Sequence, residues 1–342
     1  MYMKKTVIAG VFLLIICLVI PNVSCASSNQ KTGTKQTPGS GKIQELPAEL
    51  SASNADFTAP EVLGKPTNTS ITINIEAAVN MELYVEYGNQ QGLYSAKTDT
   101  ITMVASKPAE VLISGLQGNT RYYYRICYSK NGGNTYSKCK ENTFITQRSV
   151  GSTFTFDLQG DSHPERIKQF NPGLYLQTMQ NVKSDNPDFY MTMGDDFSVD
   201  AMKSITKNSV EQLFINQRRY LGIVGGSAPL FLVNGNHEQA AQYVLSGTPD
   251  NAAVWSQNAR NSYFSEPAPD SFYTGDTDQV QYIGNLRDYY AWTWGDALFV
   301  VIDPYWHSSV PVENILGGRD KQQSDMWGIT LGDEQYQWFK KT

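Results

Sequence analysis

The sequence predicts two folded parts in series: an all-β sandwich, then a layered α/β domain. Three observations predict them. Between Thr58 and Gln147, short runs alternate apolar and polar residues and break at Gly and Asn, the pattern of antiparallel strands. After Arg148-Ser149, strand-like runs take turns with longer helix-like ones, as a layered α/β fold requires. Three of those later strand-like runs end in polar clusters, GDSH, GDD and GNHE.

The chain begins with a leader. Lys4 and Lys5 precede TVIAGVFLLIICLVI, an apolar run too short for a comfortable membrane span. A small-residue stretch follows, with Ser24-Cys25-Ala26 fitting a cleavage site. Residues 1–26 are therefore expected to be a signal peptide that sends the mature protein to the cell envelope or outside the cell. Cys25 also fits a lipidated first residue, the only membrane attachment the sequence suggests, although Asn22 stands where an aliphatic is usual. Loss of Lys4 and Lys5, two positive charges, takes the formal charge from −6 to −8, since residues 1–26 hold no acid. No run of Lys or Arg forms a basic stripe, which argues against binding nucleic acid through a charged surface.

Residues 27–56 are rich in Ser, Thr, Gly, Gln and Pro and are expected to be a flexible linker. Residues 57–147 then supply the strands SITINIEA, MELYVEYG, AEVLISGL, TRYYYRICYSK and TFITQ. Leu116, Thr120, Tyr122, Tyr124 and Ile126 recur as a tyrosine corner entering a strand would require. The NGGN turn, Asn131 to Asn134, folds that strand onto the next and places Cys127 nearly opposite Cys139. In an oxidising compartment such a pair is expected to form a cross-strand disulfide.

Residues 150–342 form the α/β part. STFTFDLQGD, DFYMTMGDD and APLFLVNGNHE are strands; GLYLQTMQNVKSDNP and SVEQLFINQRRYLGIVG are helices. YYAWTWGDALFVVIDP is a hairpin, and GDEQYQWFKKT begins a helix. Gln239 to Arg287 is long and polar with scattered aromatics, and is expected to be a selectivity loop. The many Tyr and Trp residues sit mostly in strand patterns, so they belong to cores rather than to a glycan-binding face.

Asp161 and His163, Asp195, and Asn236 and His237 follow successive strands. Carboxylate, imidazole and amide oxygen together suit a divalent or trivalent ion such as Fe, Zn or Mn. Ligands also collect at the carboxyl ends of strands in α/β sheets. Taken singly, a Gly-Asp pair is common in turns, and an Asn-His after a strand is more often a cap than a ligand. The ordered set of three is far more specific.

In that order the motifs resemble the calcineurin-like metallophosphoesterase superfamily, whose signature runs D-x-H, GD, GNH[DE], a His after a further strand, and GH-x-H. The resemblance covers residues 153 to 342. The β part resembles the fibronectin type III domain that precedes the catalytic domain in purple acid phosphatases. It implies that Asp161 and His163 hold one metal, Asp195 bridges two, and Asn236 holds the second. It makes His237 a general acid beside the phosphate, not a ligand. It puts Glu238 behind the ligands and has Asp196 or Asp200 orient the loop. The implied reaction is hydrolysis of a phosphomonoester or nucleotide-like diester by a metal-bridging hydroxide; paired cations lower a bound water's pKa toward about 7.

The departures from the pattern are informative. Purple acid phosphatases carry a tyrosinate ligand three residues after the bridging Asp, where this chain has Ser198, and lack a His in the first motif. A tyrosinate–iron site is therefore not expected. The last two motifs of the signature do not follow His237. His307 follows a different strand and is expected at a surface or pocket rim. The expectation is a truncated chain with weak metal binding and little activity of its own. The alternative is a non-catalytic cell-surface binding or adhesion protein with a degenerate module.

Overall fold

The computed structural model describes Leu13–Ile15, Leu50, and residues 54–166, 168–308 and 329–342. Most of the expected leader, including Cys25, and most of the linker lie outside the described residues. Within the leader, Leu13–Ile15 lies parallel along the strand Ala297–Val301.

The β part is two sheets around one core. Val62–Gly64, Ser70–Glu76 and Pro108–Ser114 form an antiparallel three-stranded sheet. The second sheet is built on Met81–Gly88 and Arg121–Ser129, flanked by Asn142–Ile145 and three short strands. Strand alternation sends Leu63, Ile71, Ile73, Ile75, Leu83, Val85, Ile113, Tyr124, Ile126 and Phe144 into the space between them. The corner forms as the sequence suggests, with the Tyr122 hydroxyl accepting from the Gln117 N–H at 2.9 Å.

The expected disulfide does not form: Cys127 and Cys139 are both free thiols. The reason is parity. Cys127 stands opposite Lys138, and the Cys139 N–H donates to the Ile126 carbonyl. Cys139 therefore packs against the core on the side of Ile126, while Cys127, one residue on, points to the opposite face.

The α/β part is layered. Phe156–Gln159, Phe189–Thr192 and Leu230–Phe231 form a parallel sheet. On one face lie the helices α1 (Pro172–Asp185), α2 (Lys207–Gly225) and α3 (Ala252–Tyr263), meeting Tyr190, Leu230 and Leu232. On the other face lies the hairpin Tyr290–Trp294 with Ala297–Val301, joined by Thr274–Gly275. Phe189, Met191 and Phe231 pack against Trp292, Trp294 and Phe299 there, with Phe231 stacked on Trp292 at 4.1 Å. Two further helices follow, α4 (Pro304–His307) and α5 (Asp333–Lys341).

Two expectations change. The stretch expected as one long loop contains α3, capped by the Asn251 side chain, which accepts from the Val254 N–H; its polar composition hid a buried face. The linker is not free to its end. Leu50 is buried among the α/β helices, and Asn54 and Asp56 both hydrogen-bond the Tyr128 hydroxyl.

The two parts are also locked together. Arg218 on α2 is fully buried and donates to the carbonyls of Pro60, Asn74 and Tyr263 and to the Asn74 side chain. Burial holds its guanidinium down to about 10. The Tyr124 hydroxyl reaches across to the Gly226 carbonyl at 2.8 Å.

Candidate metal centre

All three parallel strands end at one edge of their sheet, and the loops leaving them are stitched together by backbone. Asp161 N–H donates to the Gly194 carbonyl at 2.8 Å, and His163 N–H to the Asp195 carbonyl at 3.3 Å. Glycine permits the closest approach. A Cβ on Gly194 would stand 2.4 Å from the Gly235 nitrogen, and one on Gly235 would stand 2.2 Å from the Asp195 carboxylate. Asp161, His163 and Asp195 all adopt positive φ (62°, 43° and 58°), a conformation that costs L-residues about 1–3 kcal/mol each and clusters at functional sites.

Glu238 is the clamp behind these loops. One carboxylate oxygen accepts from the N–H groups of Gly235 (2.6 Å) and Asp195 (3.1 Å), the other from Asp196 (2.9 Å) and Phe197 (3.3 Å). Burial, then the charges of Asp195 and Asp196, push its pKa well above the usual carboxylate range, against the pull of those N–H donors. Asp196 turns away from the centre and accepts from the Ser162 hydroxyl at 2.6 Å. Burial raises it to about 7. Asp200 holds His237, both oxygens lying 2.8 Å from Nδ1. The sequence left open whether Asp196 or Asp200 orients the loop; each steadies a different piece of it.

Among the described residues, His163, Asp195 and His237 form the one group of three metal-type donors, with ligand atoms all within 4.8 Å of one another. All three are buried. The imidazoles meet edge to face at 5.2 Å, and the His237 backbone N–H donates to the Asp195 carboxylate at 3.1 Å. Burial raises the Asp195 pKa, with His237 opposing it. His163 has its Nε2 2.5 Å from an Asp161 oxygen and its Nδ1 bonded to the Ser198 hydroxyl, with Glu165 at 3.3 Å. Burial works against charge on this ring, but the acidic neighbours Glu165 and Asp161 carry its pKa upward.

Of the predicted ligands, His163 and Asp195 thus come together. Asp161 reaches His163, but its side chain is 77% exposed and stands outside the three-residue group. Asn236 lies half-buried in the same turn. His237 belongs to the group by distance, although the sequence assigned it no ligand role. His307 sits elsewhere, 3.3 Å from Asp288 and edge-on to Tyr289. Sequence reasoning missed Ser198 and Glu165 as partners of His163. It also missed Arg166, whose Nη2 lies 2.9 Å from His237 Nε2; its one sequence signal was its place in DSHPER, directly after the first motif.

His163 and Asp195, an imidazole and a carboxylate buried side by side, suit a metal, with Asp161 against His163 and His237 within 4.8 Å of both.

The chain shares its fold with two solved structures. One is a structure of PhoD, at TM-score 0.56 and 16% identity, covering 84% of this chain and 60% of that one. The other is the purple acid phosphatase PPD1 from yellow lupin (Lupinus luteus) seeds, at TM-score 0.50 and 17% identity, covering 71% of this chain and 44% of that one. This chain thus spans 60% and 44% of their lengths, and at such identities the likeness is one of fold. No family model matches the sequence, and no curated protein does.

Proposed function

We propose that the protein is a metal-dependent phosphoesterase acting on a phosphomonoester or nucleotide-like diester. The observation that carries this reading is the meeting of His163, Asp195 and His237 within 4.8 Å, at the strand ends of a fold shared with two phosphatases. In this reading Asp161, His163, Asp195 and Asn236 hold the metal ions, whose identity among Fe, Zn and Mn is open to the test below. Bound there, the ions activate water and neutralise phosphoryl charge.

The chain's own residues do the rest. Asp200 fixes the His237 ring through Nδ1, so Nε2 is the atom that meets the departing oxygen and hands it a proton. Ser198 does the same for His163, and Glu238 keeps both loops from spreading. In the same reading the β part is a fibronectin type III-like module, supported by its two-sheet core and its tyrosine corner. The leader carries the protein out of the cytoplasm.

The test is metal per purified chain by elemental analysis, followed by turnover of a chromogenic phosphoester with each metal. Metal-dependent hydrolysis, however slow, supports the reading. A chain that takes up no metal would sink it, and one that binds metal without any turnover would favour the binding-protein alternative.

A further inference from the structure

Arg166 lies in the loop that follows the first strand, its N–H donating to the His163 carbonyl at 3.0 Å. That turn places its guanidinium on His237, with Nη2 2.9 Å from Nε2 and 3.1 Å from Nδ1. The contact leaves the guanidinium short of partners. His237 Nδ1 already faces Asp200, so the imidazole offers Arg166 one neutral acceptor and no negative charge. Glu165 lies 3.9 Å from Arg166 Nε and is engaged with His163. Among the described residues, Arg166 Nε is buried without a hydrogen-bond partner.

Other arginines of this protein show what a satisfied fork looks like. Arg148 grips Asp188 with two nitrogens, at 2.5 and 2.9 Å, and Arg125 grips Glu86 at 2.8 and 2.6 Å. A guanidinium carries five N–H donors in a rigid plane that matches two oxygens of a tetrahedral anion. Beside His163, Asp195 and His237, such an anion supplies both the charge and the acceptors that Arg166 lacks. From this geometry we infer that Arg166 is a phosphate-binding residue. It rests on His237 when the site is empty of substrate and transfers its donors to the non-bridging phosphoryl oxygens when substrate arrives. Its departure also frees His237 Nε2, the acceptor in this contact, to take a proton from water and pass it to the leaving-group oxygen. The inference rests on the phosphoesterase reading above and assigns that site its anion clamp.

The test uses the full chain loaded with Mn or Zn, with inorganic phosphate as the probe, titrated calorimetrically. Arg166→Ala is expected to weaken phosphate binding by roughly tenfold or more with metal content unchanged. Arg166→Lys is expected to recover part of it, since the charge remains and the fork is lost. Equal phosphate affinity in wild type and Arg166→Ala, with metal retained in both, overturns this inference alone. So does a metal-loaded wild type that binds no phosphate. Failure of the wild type to take up metal removes the phosphoesterase reading and this inference with it. If Arg166→Ala melts early, Arg166→Gln and Arg166→Lys carry the same comparison.

Discussion

The β-sandwich and the α/β layers handle polar groups in opposite ways. In the sandwich, strand alternation sends apolar side chains inward, and its non-glycine residues of positive φ, Lys65, Ser106 and Asn119, are exposed or half-buried. In the α/β part, the residues of positive φ include Asp161, His163, Asp195 and Gln239 around the candidate centre. Buried acids and imidazoles gather there too, among them Asp195, Asp196, Asp200, His237 and Glu238. Burying unneutralised charge and holding L-residues at positive φ both cost stability. A fold keeps such features where they serve chemistry. The α/β half gathers much of this cost at the strand ends, although Asn186, Tyr282 and Arg287 also hold positive φ in that half and the sandwich buries one acid, Glu76.

That contrast can be broken most sharply at Asp195. Asp195→Asn preserves the side-chain shape but removes the charge that would hold the metals, so hydrolysis should fall to background and metal content should drop. His237→Ala should slow turnover by roughly 10²–10⁴-fold while metal content holds. If His237→Ala instead empties the site, its place in the three-donor group makes it a ligand and the acid role is wrong.

The next largest effect concerns the seam between the halves. Arg218→Met strands the buried carbonyls of Asn74, Tyr263 and Pro60 and should cost about 3–5 kcal/mol, read as a lower denaturant midpoint. Separate unfolding of the two parts in the variant would show that Arg218 is what makes them one cooperative unit. An unchanged midpoint would mean that the sandwich is only loosely attached.

Smaller effects separate two kinds of glycine. Gly235→Ala drives a methyl into the Asp195 carboxylate and should cost about 1–3 kcal/mol together with metal affinity. Gly115→Ala in the sandwich meets none of the described residues within 4 Å; its φ of 73° alone should cost about 1–2 kcal/mol, with no effect on metal. Equal losses of metal in both variants would remove the distinction.

A last effect is a pH slope that belongs to the α/β part. Asp276 is pushed up to about 8, first by burial and then by the charge of Asp288. The folded chain keeps this proton where the unfolded chain, at its ordinary 3.8, has released it. Stability from Asp276 is therefore whole below about pH 4 and erodes as pH rises to about 8. Asp276→Asn should flatten that slope in thermal melts between pH 5 and 9; an unaltered slope would place the titration elsewhere.

Much of this was legible beforehand. Gly-Asp and Gly-Asn-His after apolar runs announce strand ends carrying donors, because the glycines and the alternation are local properties. The NGGN turn made Lys138 the partner of Cys127, yet whether two thiols share a face turns on a single residue of register. The α3 helix was hidden because the apolar stripe of AAVWSQNARNSY is short and set among polar residues; those that are buried find partners only in the folded chain, as Gln257 does at the Leu286 carbonyl and Arg260 at Asn234 and Leu232.

The amino-acid order alone named the candidate donors and the strand ends that carry them, since residue type and spacing are written along it. Folding in three dimensions chose the members of the centre. It drew in His237, left Asp161 at the rim, and brought Ser198 to His163 and Arg166 to His237. Those contacts join residues dozens of positions apart, and their distances follow from how sheets and helices pack rather than from any local pattern.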